Sequence, residues 1–329
     1  MSHSFNIVRA ARAIINVTDL DASRDFYVNG LGFIETEADE RHIYLRGLEE
    51  RGHHSYVLQK SNEPGVEVIS YKVSQENDLD ELAAFFETKG MEPVWMEEGS
   101  QHAVGRALRV QDVSGIPVEF FYKMDKVERM LQHFDKYQGS KMQRIDHFNC
   151  MVPDVQKAYD FYTNELNYRC SEYTATNDDS VWAAWLYRKP TVHDVAFMNG
   201  KGPRLHHTGF WLSDPMCVIN TCDVLGSLGY ASNIERGPGR HGLSNAFFLY
   251  LRDPDGNRVE LYTGDYFTGD PDFDPIRWDL DDPQRATFWG HEPPESWFNE
   301  AMQFLDVKTG EKMKVDEGTL SQRMPSFMN

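Results

Sequence analysis

Two histidines and a glutamate stand on segments that alternate like strands: His147 in Asp146-His147-Phe148-Asn149, one of the adjacent pair His206-His207, and Glu260 in Arg258-Val259-Glu260-Leu261. Imidazole and carboxylate together suit a divalent transition metal. Three such ligands on one face leave other coordination positions open, which is the arrangement of non-haem Fe(II) oxygenases. A structural zinc would be closed by four protein ligands, cysteine usually among them. Strand alternation allows only one of His206 and His207 to face inward, and the residues by themselves leave that choice open.

These positions gain weight from an internal repeat. Asp19-Leu20-Asp21-Ala22-Ser23-Arg24-Asp25-Phe26-Tyr27 returns 135 positions later as Asp154-Val155-Gln156-Lys157-Ala158-Tyr159-Asp160-Phe161-Tyr162. The stretch 112–120 lies opposite 253–261, at an offset of 141. Each start reads as a strand followed by an Asp-capped helix that turns its Phe-Tyr pair to the core. Each end reads as a turn built on Asp and Gly, then a strand. Further β-rich runs at 43–45, 56–58, 182–186 and 195–198, and second helices at 78–89 and 216–228, complete a pattern of strand, helix and strands. Opposite His147, His207 and Glu260 the first half has Arg12, Val68 and Glu119. A metal site is therefore expected in the second half alone, with Glu119 a structural leftover.

The elements that position the site amount to an α+β chain of four βαβββ modules paired into two similar domains, each an open mixed β-barrel. The expected limits are 1–124 for a degenerate N-terminal domain, 125–142 for a connecting helix, 143–263 for the catalytic domain and 264–329 for a tail. The helix rests on Val127, Met130, Leu131 and Phe134 at helical spacing. The tail is acidic and aromatic, with Trp278, Phe288, Trp289 and Trp297, and reads either as a surface wrap or as a lid over the site.

Composition agrees with a two-domain globular chain: 329 residues, 40% hydrophobic and 13% aromatic. Lys and Arg number 33 against 52 Asp and Glu, a balance of −19 that repels nucleic-acid phosphates and anionic lipids. No apolar run approaches the ~20 residues of a membrane span, and the first ten residues lack a signal peptide's apolar core. A cytoplasmic location follows as the expectation. Four irregularly spaced cysteines make a disulfide framework unexpected.

A longer motif surrounds Glu260. Gly239-Arg240-His241, Leu249-Tyr250, Leu251-Arg252, Asp253-Pro254-Asp255-Gly256 and Glu260 together resemble the ring-cleavage signature of extradiol dioxygenases of the vicinal oxygen chelate superfamily. The resemblance spans nearly the whole chain and is closest to the homoprotocatechuate (3,4-dihydroxyphenylacetate) 2,3-dioxygenases. It is carried by Ile145-Asp146-His147-Phe148-Asn149, Ala183-Ala184-Trp185, Thr191-Val192-His193-Asp194 and the run 235–242. It implies Fe(II), or Mn(II) in some members, held by His147, His207 and Glu260. It implies a catechol and O2 as reactants, a muconic semialdehyde as product, and a homotetramer.

The same resemblance gives His193 the acid–base role, which an imidazole titrating near neutrality can perform. Tyr250 and His241 match groups that hydrogen-bond the reacting oxygens; Asn149, Trp185 and Trp297 match the pocket wall. In the homoprotocatechuate enzymes two arginines hold the substrate carboxylate. Arg236 matches the first, but the second falls on Ala286 in Gln284-Arg285-Ala286. Alanine cannot make a bidentate guanidinium contact, so a substituted catechol without a carboxylate stays a candidate. Arg285 compensates only if it turns inward, where a neighbouring residue usually points elsewhere. The rival readings are a non-redox lyase or isomerase of the glyoxalase type, whose site draws ligands from both halves, and a metal-free binding protein.

Overall fold

A computed structural model describes residues 4–328 and contains four βαβββ modules in chain order. The first is β1 (Ile7–Val17), α1 (Leu20–Arg24), β2 (Ile34–Ala38), β3 (His42–Arg46) and β4 (Tyr56–Lys60). The second is β5 (Gly65–Val73), α2 (Asn77–Thr88), β6 (Val94–Met96), β7 (Ala107–Gln111) and β8 (Pro117–Phe121). The third comprises β9 (Arg144–Val152), α3 (Val155–Asn164), β10 (Arg169–Ala175), β11 (Val181–Tyr187) and β12 (Val195–Asn199). The fourth comprises β13 (Arg204–Trp211), α4 (Pro215–Ser227), β14 (Ile234–Arg240), β15 (Phe247–Arg252) and β16 (Arg258–Thr263).

Modules pair two by two into open mixed sheets. One runs β2-β3-β4-β1-β5-β8-β7-β6, the other β14-β15-β16-β13-β9-β12-β11-β10. The tail adds β17 (Ile276–Asp279) at the β10 edge and β18 (Met302–Gln303) against β13. It also contributes two short helices, α5 (Pro283–Ala286) and α6 (Ser296–Asn299). Asp19 and Asp154 cap α1 and α3 by accepting backbone N–H groups of the first turn.

Strand register places the repeat on firm ground. Arg12 lies opposite Ser70 and Ser70 opposite Glu119, just as His147 lies opposite Gly209 and Gly209 opposite Glu260. In the first sheet the space between these strands is filled by guanidinium. Arg12 donates to Glu119, Arg109 Nε donates to it at 2.8 Å, and Ser70 Oγ at 3.0 Å. Val68 packs with Ile14, Tyr44 and Val57. Burial raises the pKa of Glu119, but Arg12 and Arg109 overcome it and hold the carboxyl down at about 2. A pKa depressed on folding stabilises the protein above the unfolded value of about 4.5 and ceases to do so as the pH falls toward 2. Glu119→Gln leaves the buried Arg12 guanidinium without a carboxylate and Arg109 with Glu67 alone. It is expected to cost roughly 3–5 kcal/mol, read as a lower urea midpoint at pH 7.

The two halves interlock through reciprocal contacts. Tyr27 Oη donates to Asp253 at 3.0 Å, and its repeat equivalent Tyr162 donates to Asp112 at 2.8 Å. Both carboxyls are buried, which pushes each up to about 6. Phe33 meets Phe210 at 4.8 Å and Tyr71 meets Phe148 at 5.8 Å between ring centroids, so one apolar core runs through both sheets.

The connecting helix is a correction. Residues 125–142 form extended chain and turns with a single short 3-10 turn, Phe134–Lys136. The segment finds its backbone partners outside itself: Val127 N–H donates to Arg51 O and Met130 N–H to Leu48 O. Leu131 and Phe134 are exposed, so the helical spacing has no apolar face to serve. Gln132, Gly139 and Lys141 adopt positive φ, which breaks any helix there.

Candidate active site

His147 comes from β9, His207 from β13 and Glu260 from β16, three neighbouring strands of the second sheet. Their ligand atoms all lie within 4.8 Å of one another, and the three residues are buried. His147 Nε2 is 2.9 Å and His207 Nε2 3.2 Å from the same Glu260 Oε2, with 3.4 Å between the two nitrogens. Gly209 makes room for this approach, because a Cβ there would sit 2.2 Å from the His147 ring. A β-bulge between Leu205 and His207 breaks the alternation of β13, so both His206 and His207 are buried, with only His207 on the cluster.

Proton positions decide what the cluster can hold. His147 Nδ1 lies 3.1 Å from Asp146 Oδ2, a carboxylate that also accepts from Tyr262 Oη at 2.5 Å. With its Nδ1 proton given to Asp146, His147 keeps a lone pair on Nε2. Lone pairs of two imidazoles and a carboxylate then converge within hydrogen-bonding distance, which is stable only around a positive charge. Burial lowers the His147 pKa, but Asp146 and Glu260 outweigh it and raise the imidazolium to about 9. The pocket therefore favours a positive charge, and its donor set of two imidazoles and a carboxylate fits Fe(II) or Mn(II).

A cavity of about 770 Å³, its mouth included, opens beside the cluster. Asn149, Trp185, His193, His241, Tyr250, Arg236 and Trp297, all singled out from the sequence, line it. His193 lies over the His147 ring at 3.9 Å between centroids; burial, His147 and Lys189 hold its pKa well below the usual value, so it is neutral. His241 Nδ1 faces Ala286 O, an acceptor only, so its Nε2 accepts the Tyr250 hydroxyl at 3.0 Å. Asn149 Oδ1 is buried with no hydrogen-bond partner. Tail residues Glu292, Pro293, Phe298, Pro325, Phe327 and Met328 close the far side.

Arg285 is the departure from sequence reasoning: it turns inward, 3% exposed, over the Trp182 ring at 5.4 Å. Arg236 donates to Ala286 O and to Thr287 Oγ1 and is sandwiched between Phe248 and Trp297 at 4.7 Å each. The Nε of both arginines lacks a partner. Burial lowers each guanidinium to about 10, and mutual repulsion adds to this at Arg285. Asp146 and Tyr262 escaped the sequence reading, which weighed His206 only as a rival to His207 for the ligand position. The signal available for Asp146 was an acidic residue set beside a histidine inside an otherwise apolar strand.

A second group, Glu37, His53 and His102, also draws together at the half-exposed edge of the first sheet. Here the protons are spent differently. Arg12 donates to His54 Nε2 at 3.2 Å, so His54 donates through Nδ1 to His53 Nδ1 at 3.0 Å. The His53 proton is left on Nε2, where Glu37 accepts it at 3.3 Å. This group satisfies itself with hydrogen bonds as it stands, whereas the buried cluster on the second sheet needs an added positive charge to do so.

The model of the glyoxalase/bleomycin resistance protein/dioxygenase superfamily matches residues 7–120 and 144–261. The chain belongs to this superfamily. Within the superfamily it is similar to a homoprotocatechuate 2,3-dioxygenase of Arthrobacter globiformis, whose crystal structure superposes with a TM-score of 0.91 at 44% identity over 94% of this chain and 96% of that one. The Brevibacterium fuscum homoprotocatechuate 2,3-dioxygenase, in its anaerobic complex with 3,4-dihydroxyphenylacetate, gives 0.92 at 41% identity over 95% and 97%. A manganese-dependent 2,3-dihydroxybiphenyl 1,2-dioxygenase of Geobacillus genomosp. 3 is 30% identical over 82% of this chain and 90% of its own length. The superfamily fold thus appears here with the two histidines and the glutamate together in one half only, the other half having Arg12, Val68 and Glu119 at the matching positions.

Proposed function

We propose that this protein is an extradiol dioxygenase that inserts both atoms of O2 into a catechol ring next to a hydroxyl, giving a muconic semialdehyde, with a carboxylated catechol such as 3,4-dihydroxyphenylacetate as substrate. The observation that carries the reading is three convergent ligand groups in a cavity that is also lined by two buried guanidiniums without a carboxylate partner. His147, His207 and Glu260 would hold Fe(II), or Mn(II), which supplies a Lewis acid and a redox centre that bring catechol and O2 together.

The remaining work falls to the chain's own groups. Neutral His193 accepts a proton from a catechol hydroxyl and returns it to an oxygen of the reacting adduct. Tyr250, with its own proton given to His241, accepts the other hydroxyl, and Asn149 Oδ1 offers a further acceptor. Trp185 and Trp297 bound the ring and exclude water. Arg236 and Arg285 attract the side-chain carboxylate by charge, with Arg285 standing in where Ala286 cannot.

The proposal extends to a homotetramer working in the cytoplasm. It is supported by four cysteines without disulfides, by exposed Phe134, Phe267, Phe288 and Trp289, and by the absence of any described helix long and apolar enough to cross a membrane. The test is anaerobic purification and metal analysis, then 3,4-dihydroxyphenylacetate, catechol and 4-methylcatechol offered under oxygen. A yellow semialdehyde with one O2 consumed per ring is the expected result. Stoichiometric metal without oxygen uptake on any catechol would sink the assignment.

A further inference from the structure

His206 has no assigned role, yet it is fully buried and lies between the metal-type cluster and the C-terminal tail. Its Nε2 is 2.9 Å from the backbone carbonyl of Trp297, and its Nδ1 is 2.7 Å from His207 Nδ1. A carbonyl can only accept, so the His206 proton resides on Nε2 and its Nδ1 carries a lone pair. At 2.7 Å a second lone pair on His207 Nδ1 would be repulsive; His207 therefore carries its proton on Nδ1. The nitrogen that faces Glu260 and His147 is thereby left bare.

We infer that His206 is a positioning residue that holds His207 in its ligating tautomer, and that the Trp297 carbonyl sets the direction of this relay. The inference rests on the reading that His147, His207 and Glu260 hold a metal. Asp146 does the same for His147, but it is a carboxylate within the same strand. For His207 the deciding acceptor belongs to the tail. That tail segment is strapped in place: Arg258 donates to Ser296 O and Glu300 O, and Met302 pairs with Leu205 on β13. The Trp297 ring packs on His206 at 4.5 Å and on the Arg236 guanidinium at 4.7 Å. One tail residue thus touches both the relay to the metal ligand and a cation of the substrate end, which ties metal retention to docking of the tail.

Two substitutions separate the halves of the relay. His206→Asn places an amide oxygen near the position of Nδ1, keeping the acceptor for His207 while losing Trp297. His206→Gln places an amide N–H near the position of Nε2, keeping Trp297 while leaving His207 without its acceptor. The readout is the rate of Fe(II) release from anaerobic holoenzyme to a colorimetric chelator, with thermal unfolding measured alongside. His206→Gln is expected to release iron about 10–100-fold faster than the unsubstituted protein, the usual scale for losing an orienting partner, and His206→Asn within about threefold of it.

If the Gln variant retains iron and the Asn variant loses it, His206 only anchors the tail and the inference is overturned; equal rates in all three proteins overturn it as well. Should a variant fail to fold, 15N NMR of histidine-labelled unsubstituted protein reads the tautomers directly. His207 protonated on Nδ1 and His206 on Nε2 is the expected pattern, and the reverse overturns the relay. An unsubstituted protein with no stoichiometric metal, or His207→Ala with undiminished metal, marks instead the failure of the ligand assignment beneath it.

Discussion

Alanine at His147, His207 or Glu260 is expected to lower ring-cleaving turnover by about a thousandfold or more, because the charge stabilisation supplied at such a centre amounts to several kcal/mol. The purified variants should also be short of metal. Both effects follow from the geometry: the two nitrogens lie 2.9 and 3.2 Å from one carboxylate oxygen, so removal of any member leaves the other two without the third side of the site. Oxygen uptake and metal content per chain, measured on the same preparations, check the prediction. His193→Ala supplies the contrast. Its imidazole lies tilted against the His147 ring and is not one of the three clustered ligands, so the variant should retain metal. Turnover should nevertheless fall by about 10²–10⁴-fold, the range for loss of a general acid–base group. A His193→Ala protein that turns over normally removes that role.

The second large effect concerns the substrate's side chain. Arg285→Met is expected to reduce kcat/KM for 3,4-dihydroxyphenylacetate by roughly 10–100-fold, since hydrogen bonds to a charged group contribute about 1.5–3 kcal/mol. 4-Methylcatechol, with no carboxylate, should change by less than about threefold on the same reasoning. The methionine also relieves a cost. Two guanidiniums buried in one cavity repel, and Nε of each is unpartnered, so the substrate-free variant should melt at a higher temperature than the parent. Steady-state kinetics with the two catechols decide the matter: equal losses on both substrates would show that Arg285 shapes the cavity and does not read the carboxylate.

Much of this site is legible in the sequence alone. The offsets of 135 and 141 survived because an Asp-capped helix and an Asp-Gly turn each need particular residue types, and the strand registers then placed Arg12 and Glu119 opposite their counterparts. What stayed illegible has identifiable physical causes. The bulge in β13 suspends the rule that would have chosen between His206 and His207. The orientation of Arg285 depends on a one-turn helix, α5, whose facing is set by the tail's path and not by its own four residues. Residues 125–142 carry a helical spacing, yet backbone partners in another loop take precedence over it. The contacts from Tyr27 to Asp253 and from Tyr162 to Asp112 join residues 226 and 50 positions apart, and no local pattern announces them.

Those two tyrosine contacts say something about how such a chain came to exist. A contact in which residue i of one copy meets residue j of another, while j meets i in return, is what a twofold axis imposes on identical subunits. The chain carries that isologous interface within itself, which is the expected residue of a symmetric dimer of half-length polypeptides later joined end to end. Once joined, the copies were released from having to share one sequence. One could trade its imidazoles for Arg12 and Val68 and specialise as scaffold, but neither could discard its partner without stranding a buried aspartate.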